Sequence, residues 1–424
     1  MKSLFGENKL KEEGKCVKVK AYIHASEILT GAGIRKKNGR HVQEEDLGRI
    51  RDGAIVYSVK KVQGVEVPDR VLWLGATQDL PQKWKKIQKV DLRQKKGIIP
   101  GLIDCHTHLI FAGNRADEFA QRCAGVSYQQ IASQGGGIQA TVGATRQARE
   151  VDLLKLASER VKEMIRHGVR SIEVKSGYGL SVESELKLLR VIPQLRKKFP
   201  QITFIPTFLG AHDFPKDQSR ESYLHSLLTE MLPQVAKEEL AESCDVFIDE
   251  GYYTHSQGEQ ILSRARELGL QVRVHADELS DTGSAELAAR LGALSADHLL
   301  RVSESGIQAL AHSETVAVLL PGTAFYLKAE YAPARKLIEA GAKVALATDY
   351  NPGTCVCLSL PLIMTLAALY LKMSRAEIFA AVTFNAAQAL DLHHRKGTLE
   401  VGLDADFWVM PFPTFEEVYY RFGW

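Results

Sequence analysis

The sequence lacks a long apolar run and a leader-like start. No window approaches the ~20 consecutive apolar residues that a membrane-spanning helix needs. Residues 1–20 are charged throughout and contain no apolar core of signal-peptide length. These absences exclude an integral membrane protein and predict a cytoplasmic location.

Cysteine pairs and an excess of charge are missing as well. The six cysteines stand at irregular spacings without a Cys-x-x-Cys pair, which argues against a thiolate zinc site and suits a reducing compartment. The formal net charge is only +3, from 54 basic and 51 acidic residues, so no net field favours nucleic acid or an anionic membrane. The hydrophobic share of 45% in 424 residues is that of a globular protein with room for a sizeable core.

From about residue 98 onward, short apolar runs alternate with helical segments. Runs of this kind, rich in branched residues and apolar on both faces, predict buried parallel strands. Eight such runs occur, at residues 98–103, 169–174, 202–209, 245–248, 272–274, 294–296, 316–320 and 344–347. Between two of them, Leu154, Ala157, Val161 and Met164 share one face of a helix that stops at Gly168. Eight strands, each followed by a helix, predict an α/β fold of the (β/α)₈ TIM-barrel type.

The two ends of the chain predict a different unit. Short strand-like pieces separated by turn residues occur at residues 17–23, 53–59, 71–74 and again within 397–410. We therefore expect a small β-sandwich-like domain built from residues 1–95 and 396–424. The barrel would then occupy residues 96–395.

Histidines stand where the predicted strands end. The first strand runs into His106-Thr107-His108, and alternate residues of a strand point to the same side, so both imidazoles can face one point. The ends of strands three, five, six and eight carry His212, His275, His298 and Asp349. Because the carboxyl ends of barrel strands meet at one rim, these side chains should lie together. The remaining histidines lack this placement and are interpreted as ordinary surface or core residues.

Four of these side chains form a plausible metal-ligand set. His106, His108, His275 and Asp349 offer neutral imidazoles and one carboxylate, which suit zinc, iron or manganese. Such an ion would lower the pKa of a bound water to roughly 7 and polarise a scissile carbonyl. The pattern therefore predicts metal-dependent hydrolysis.

Five longer motifs carry a resemblance to a known family. They are Ile-Pro-Gly-Leu-Ile-Asp-Cys-His-Thr-His at 99–108, Gln-Gly-Gly-Gly-Ile at 134–138, Val-Lys-Ser-Gly-Tyr-Gly-Leu at 174–180, His-Ala-Asp-Glu-Leu at 275–279 and Asp-Tyr-Asn-Pro-Gly at 349–353. They span most of the chain, and the Lys-Ser-Gly-Tyr-Gly-Leu stretch is highly specific. On these motifs the chain resembles the imidazolonepropionase family of the amidohydrolase superfamily.

The resemblance implies a reaction, a metal and a set of contacts. The family hydrolyses 4-imidazolone-5-propanoate to N-formimidoyl-L-glutamate in histidine breakdown, with one zinc or iron ion. The ligands would be His106, His108, His275 and Asp349, and the assembly a homodimer. Carried over by motif, the residues that contact substrate or product are Arg115, Tyr178, His212, Glu278, Asn351, Gly353 and Thr354. A guanidinium fork at Arg115 suits the propionate carboxylate, and Gly353 would contribute a backbone group.

Three residues would carry the proton chemistry. Glu278 lies three residues past the ligand His275 and resembles the family's acid/base residue. His298 can hydrogen-bond the ring carbonyl and stabilise the oxyanion. Asp349, besides ligating, can accept a proton from the attacking water. Either Glu278 or Asp349 then delivers a proton to the departing ring nitrogen.

Three alternatives stay open at this point. A binuclear ring-opening hydrolase of the dihydropyrimidinase type needs a lysine on strand four, but that strand contains none, and Glu250 is a weak candidate for a second metal. An aminohydrolase acting on a purine- or pyrimidine-like base would use the same ligand set. A non-catalytic scaffold on the same fold would be expected to lose ligands, and all are present. Arg115 and Tyr178 together favour a substrate with an acidic tail.

Overall fold

The computed structural model describes residues 9–12, 15–126, 130 and 136–424. Gln134 and Gly135 of the glycine-rich motif lie outside the described residues. The strands are β1 Lys9–Glu12, β2 Lys15–Leu29, β3 Arg49–Val62, β4 Val65–Ala76, β5 Gln88–Asp91, β6 Ile98–Pro100, β7 Leu102–Asp104, β8 Val169–Lys175, β9 Thr203–Ala211, β10 Ser243–Ile248, β11 Gln271–Ala276, β12 Ser295–His298, β13 Val316–Leu319, β14 Lys343–Leu346 and β15 Phe407–Val409.

The helices cover the outside of the barrel and join the two sheets. Their bounds are Ala32–Lys36, Ala116–Cys123, Ile138–Gln147, Glu150–Arg166, Val182–Lys198, Arg220–Ser226, Leu232–Lys237, His255–Glu267, Ser284–Leu291, Glu304–Ala311, Pro321–Leu327, Ala334–Ala340, Leu360–Leu369, Arg375–Val382, Phe384–Ala389 and Glu416–Tyr420. Within the described part of the chain, no helix has the length and apolar character needed to cross a bilayer.

The predicted eight-stranded parallel barrel is confirmed. β7 to β14 form one sheet in chain order, and each neighbouring strand pair is parallel. The predicted helix before Gly168 is observed as Glu150–Arg166, with Ala157, Val161 and Met164 fully buried. This arrangement is a (β/α)₈ barrel.

The first apolar run, residues 98–103, is two strands rather than one. β6 pairs with β2 and β15 in the second sheet, whereas β7 begins the barrel. Gly101 joins them, and a Cβ at this position would lie 2.5 Å from Arg170 Cγ. Pro100 has no N–H for a sheet ladder, so it suits the end of a strand. The expectation of a single barrel strand here was therefore wrong, because one run serves both sheets.

The barrel closes at its strand exits. Between β14 and β7 the backbone N–H of Asp349 donates to the His106 carbonyl at 3.0 Å, and that of His108 donates to the Tyr350 carbonyl at 2.9 Å. Below them, the Asp104 carboxylate accepts bonds from the N–H and the hydroxyl of Thr348, at 3.1 and 2.6 Å. The His-x-His segment and Asp349 thus form the closing seam.

The second sheet comes from the two ends of the chain, as the sequence predicts. Its main path is β15-β6-β2-β3-β4, and both β1 and β5 pair with β2. The three strand-like pieces before residue 95 lie within β2, β3 and β4. Residues 397–410 form one strand, β15, rather than several, because the chain there bonds to loops such as Thr30, whose carbonyl accepts from the Leu399 N–H at 2.8 Å.

Gly168 lies where the second sheet meets the barrel. Its φ is +89°, and a Cβ would lie 2.5 Å from the Trp408 indole of β15. Gly269 ends the helix before β11 in the same way, with φ +87°, but no atom lies within 4 Å of its Cβ position. The two glycines therefore differ in packing and not in backbone conformation.

We expect Gly168→Ala to destabilise the protein more than Gly269→Ala. Both changes place a side chain at positive φ, worth about 1–2 kcal/mol, and only the first also overpacks Trp408, which adds about 1–3 kcal/mol. Urea unfolding followed by intrinsic fluorescence measures the difference. Equal losses would contradict the packing argument.

Candidate active site

A cavity of 310 Å³ opens at the carboxyl end of the barrel strands. Its wall combines imidazoles, carboxylates and aromatic side chains: His108, Arg115, Ile138, Tyr178, His212, Phe247, Tyr252, His275, Glu278, Leu279, His298, Leu327, Asp349, Asn351 and Thr354. Ten of these residues stand among those that the sequence analysis selected. Ile138, Phe247, Tyr252, Leu279 and Leu327 were not selected as site residues, since single apolar or aromatic side chains on a helix, a strand or a loop carry no distinctive sequence pattern.

The four predicted metal ligands lie together at the floor of this cavity. Asp349 Oδ1 is 3.5 Å from the Nε2 atoms of both His106 and His108. His275 Nε2 is likewise 3.5 Å from His108 Nε2. All four side chains are buried, and their donor atoms fall into two overlapping groups within 4.8 Å: His106, His108 and His275 in one, and His106, His298 and Asp349 in the other.

The donor atoms fit a cation by their chemistry. His106 Nε2 and Asp349 Oδ1 are buried and have no hydrogen-bond partner among the described residues. Native proteins rarely leave buried polar atoms in this condition unless a ligand satisfies them. Burial also lowers the pKa values of His106 and His108, so their rings are neutral and offer lone pairs. A divalent metal ion suits this set.

Carboxylates behind two of the ligands fix their orientation. Asp297 Oδ2 lies 2.6 Å from His106 Nδ1, and Asp245 Oδ2 lies 2.9 Å from His275 Nδ1. The hydrogen bond to Asp297 holds the His106 proton on Nδ1 and leaves Nε2 as the lone-pair atom. The Asp245–His275 contact, by contrast, is a close charge contact without hydrogen-bond geometry. The sequence analysis missed both aspartates. Their signal was their position on β10 and β12 at inward-facing sites of strands that are otherwise apolar or small.

A buried lysine connects these carboxylates. Lys175 Nζ lies 2.7 Å from Asp245, 2.9 Å from Glu173 and 3.9 Å from Asp297, and all four side chains are fully buried. Lys175, the second residue of the Val-Lys-Ser-Gly-Tyr-Gly-Leu motif, ends β8, the second barrel strand, and lies beneath the predicted ligands. Glu250, the weak candidate for a second metal, is exposed and does not line the cavity.

Asp349 is held by its second oxygen. Thr323 Oγ1 donates to Asp349 Oδ2 at 2.6 Å, which leaves Oδ1 directed toward the histidines. Burial raises the Asp349 pKa to about 6. The backbone φ of Asp349 is +50° and that of His298 is +78°, values that non-glycine residues seldom adopt and that concentrate at functional sites.

Glu278 and His298 face each other on one side of the cavity. His298 Nδ1 is 3.6 Å from Glu278 Oε1, too long for a hydrogen bond. Burial, reinforced by the Asp349 charge, raises the pKa of Glu278 to about 8. Burial also lowers the His298 pKa well below its usual value. The pair therefore consists of a neutral imidazole and a carboxyl that retains its proton near neutral pH.

The predicted substrate-contacting residues form the opposite wall and rim. Arg115 is 7% exposed and its Nε donates to Thr141 Oγ1 at 2.9 Å. The Tyr178 and His212 rings lie 5.3 Å apart, centroid to centroid, and pack edge to face.

The loop after β14 turns around Asn351. Its side-chain oxygen accepts the N–H groups of Gly353 and Thr354 at 2.8 and 2.7 Å. Gly353 itself does not line the cavity. A Cβ on Gly353 would lie 2.1 Å from Arg115 Nη1, so this glycine gives the guanidinium its space.

The comparisons with known proteins first define the class. A model described as "Amidohydrolase family" matches residues 98–418, which include the barrel and the cavity described above. The amidohydrolases are metal-dependent, in keeping with the histidine cluster. Solved structures with the same fold include an adenosine deaminase from Xanthomonas campestris with bound zinc, at 16% identity and a TM-score of 0.64 over 92% of this chain and 84% of that one. Another is molinate hydrolase, at 14% identity and a TM-score of 0.64 over 95% and 91%.

Relatives with similar sequences narrow the assignment from the amidohydrolase class to one family within it. The chain is 44% identical to the imidazolonepropionase of Bdellovibrio bacteriovorus over 90% of this chain and 88% of that protein. It is 47% identical to the imidazolonepropionase of Caldanaerobacter subterraneus over 77% and 80%, respectively. Within the amidohydrolases, the chain therefore belongs to the imidazolonepropionase family.

We expect Asp297→Asn to weaken metal binding by about 10–100-fold, because the amide no longer fixes the His106 tautomer. Chelator competition on the purified protein measures this affinity without any assay of activity. Asp217→Asn, at an exposed position, is the matched control and should bind metal like the wild type. Equal affinities in both variants would show that Asp297 does not orient the ligand.

Proposed function

We propose that this protein is a hydrolase that opens the ring of 4-imidazolone-5-propanoate to give N-formimidoyl-L-glutamate. One observation carries the assignment beyond its family: Arg115 stands in the cavity wall beside the metal-ligand set. Its guanidinium is buried and donates to a neutral hydroxyl, and no ion pair with a carboxylate is found for it among the described residues. A buried cation of this kind is suited to the carboxylate tail of a substrate.

We further propose that one zinc or iron ion is held by His106, His108, His275 and Asp349. When bound, the ion supplies Lewis acidity and activates water for attack on the ring carbonyl. The four side chains supply three imidazole nitrogens and one carboxylate oxygen, a set that zinc and iron both accept.

Substrate orientation follows from the wall residues. Arg115 binds the propionate, which directs the ring toward the floor of the cavity. Tyr178 and His212 flank the ring, and their edge-to-face packing limits how it can tilt. Asn351 and Thr354 line the cavity at its rim, where the loop after β14 can contact the opened product.

The proton chemistry falls to Glu278 and His298. With a pKa of about 8, Glu278 carries its proton at neutral pH and can donate it to the departing ring nitrogen. His298 is neutral and can donate one N–H to the ring carbonyl oxygen, where negative charge develops. Burial raises the pKa of Asp349 only to about 6, so at neutral pH it is largely ionised and can accept a proton from the attacking water, whereas Glu278 still carries its own.

The assignment is tested by the loss of the imidazolone chromophore when freshly generated substrate meets metal-loaded protein. We expect Glu278→Gln to lower kcat by about 10²–10⁴-fold, the usual range for a general acid or base. Glu250→Gln is the control, since Glu250 is an exposed residue outside the cavity, and it should match the wild type.

An absence of turnover at full metal occupancy would overturn the assignment. Release of ammonia from a purine- or pyrimidine-like base under the same conditions would then favour the aminohydrolase alternative.

We expect Gly353→Ala to raise KM at least about tenfold with a smaller effect on kcat. The new methyl group would displace the Arg115 guanidinium from the position in which it is proposed to bind the propionate. The φ of Gly353 is not positive, so the backbone tolerates alanine. Gly143→Ala is the control, since no atom lies within 4 Å of its Cβ position. An unchanged KM would argue against Arg115 as the propionate site.

Three further expectations about the protein are proposals as well. They are a homodimer, a cytoplasmic location, and a division of the chain into a β domain of residues 1–95 and 396–424 and a barrel of residues 96–395. The homodimer rests on the family resemblance, and the location on the irregular spacing of the cysteines.

A further inference from the structure

The loop that carries Tyr178 has an unfavourable backbone. It follows β8 directly, and Gly177 has a φ of +106° and Leu180 a φ of +48°. A leucine in the left-handed region is strained, so surrounding contacts must hold it there. A Cβ on Gly179 would lie 2.5 Å from the backbone nitrogen of Glu185, which shows how closely the loop packs on the next helix.

The Glu185 carboxylate binds this loop from the inside. Its Oε1 accepts the N–H groups of Gly179 at 2.6 Å and Leu180 at 2.8 Å, and its Oε2 accepts that of Gly177 at 2.8 Å. Glu185 is fully buried on the helix Val182–Lys198. By accepting three backbone N–H groups, this buried carboxylate satisfies donors that would otherwise lack an acceptor in the turn.

Cations near the loop bind its carbonyls and not the carboxylate. Arg146 donates from Nε to the Gly179 carbonyl at 2.6 Å and from Nη2 to the Leu180 carbonyl at 2.7 Å. The N–H groups and the carbonyls of the loop therefore have separate anchors. In the described part of the chain, Glu185 is the buried side chain that accepts the N–H groups of this loop.

This loop in turn positions two residues of the cavity wall, Tyr178 and His212. Tyr178 stands between two residues whose N–H groups Glu185 accepts. The Gly177 carbonyl accepts a bond from His212 Nδ1 at 3.0 Å. Since a carbonyl can only accept, the proton of the neutral His212 is on Nδ1, and Nε2 is a lone-pair acceptor.

We propose that Glu185 is a positioning residue for the substrate: its carboxylate fixes the loop so that Tyr178 and the acceptor nitrogen of His212 stand in the geometry that the ring requires. This inference rests on the proposed function, in which Tyr178 and His212 contact the substrate. It does not depend on the identity of the metal.

The first measurement is amide hydrogen exchange on the wild-type holoenzyme. The N–H groups of Gly177, Gly179 and Leu180 should be strongly protected, because each is bonded to a buried acceptor. In Glu185→Gln an NH₂ group replaces one of the two carboxylate oxygens. Because an NH₂ group cannot accept a hydrogen bond from a backbone N–H, the protection of at least one of these three N–H groups should fall. Rapid exchange at all three positions in the wild type would overturn the inference before any variant is made.

Kinetics on metal-loaded protein then test the role in binding. Glu185→Gln should raise KM about tenfold or more with an unchanged metal content, since hydrogen bonds to a charged group are lost. Glu183→Gln, an exposed position on the same helix, is the matched control. In a Tyr178→Phe background the effect of Glu185→Gln should shrink, because the group it positions has already been altered.

The outcomes separate this inference from the function on which it rests. Turnover by the wild type with equal KM values for Glu185→Gln and Glu183→Gln would overturn the inference alone, as would full additivity with Tyr178→Phe. An absence of wild-type turnover would overturn the proposed function, and with it the role of Glu185 in this reaction. Loss of protection together with a raised KM supports both.

Discussion

The ion pairs of Lys175 are the interaction on which the site depends. Three carboxylates share the barrel interior around this one ammonium group, and an unpaired charge there would be strongly unfavourable. Two of the three, Asp245 and Asp297, hold the Nδ1 sides of His275 and His106. The lysine thus makes it possible to bury the anions that contact the predicted metal ligands. Its own pKa is raised because these charges outweigh the effect of burial.

Barrel closure and ligand placement use the same residues. The seam between β14 and β7 is formed by backbone hydrogen bonds from Asp349 to His106 and from His108 to Tyr350. The same two segments carry the predicted ligands His106, His108 and Asp349. A change that loosens the seam would therefore move the donor atoms apart. The positive φ values of Asp349 and His298 are maintained by this dense packing, and such strain is common where a site is held ready for its ligand.

Two loops of the cavity wall each have a buried polar anchor. Asn351 organises the turn after β14 by accepting two N–H groups. Glu185 does the same for the turn after β8 with three. Because these anchors satisfy backbone groups inside the protein, the loops can hold Tyr178 and Arg115 in place while remaining open to a small molecule.

The sequence by itself determined the barrel, the second sheet from both chain ends and the candidate ligands, because buried strands and their polar exits leave periodic, local patterns. The family resemblance added Arg115, Tyr178 and Glu278, which have no distinctive spacing. Tertiary structure alone decided that residues 98–103 serve two sheets, since the break at Gly101 depends on packing against Arg170. It alone also disclosed the roles of Asp245, Asp297, Lys175 and Glu185. Such contacts join residues far apart in the chain, or depend on how a turn folds back on its helix, and no local pattern records which groups will meet in three dimensions.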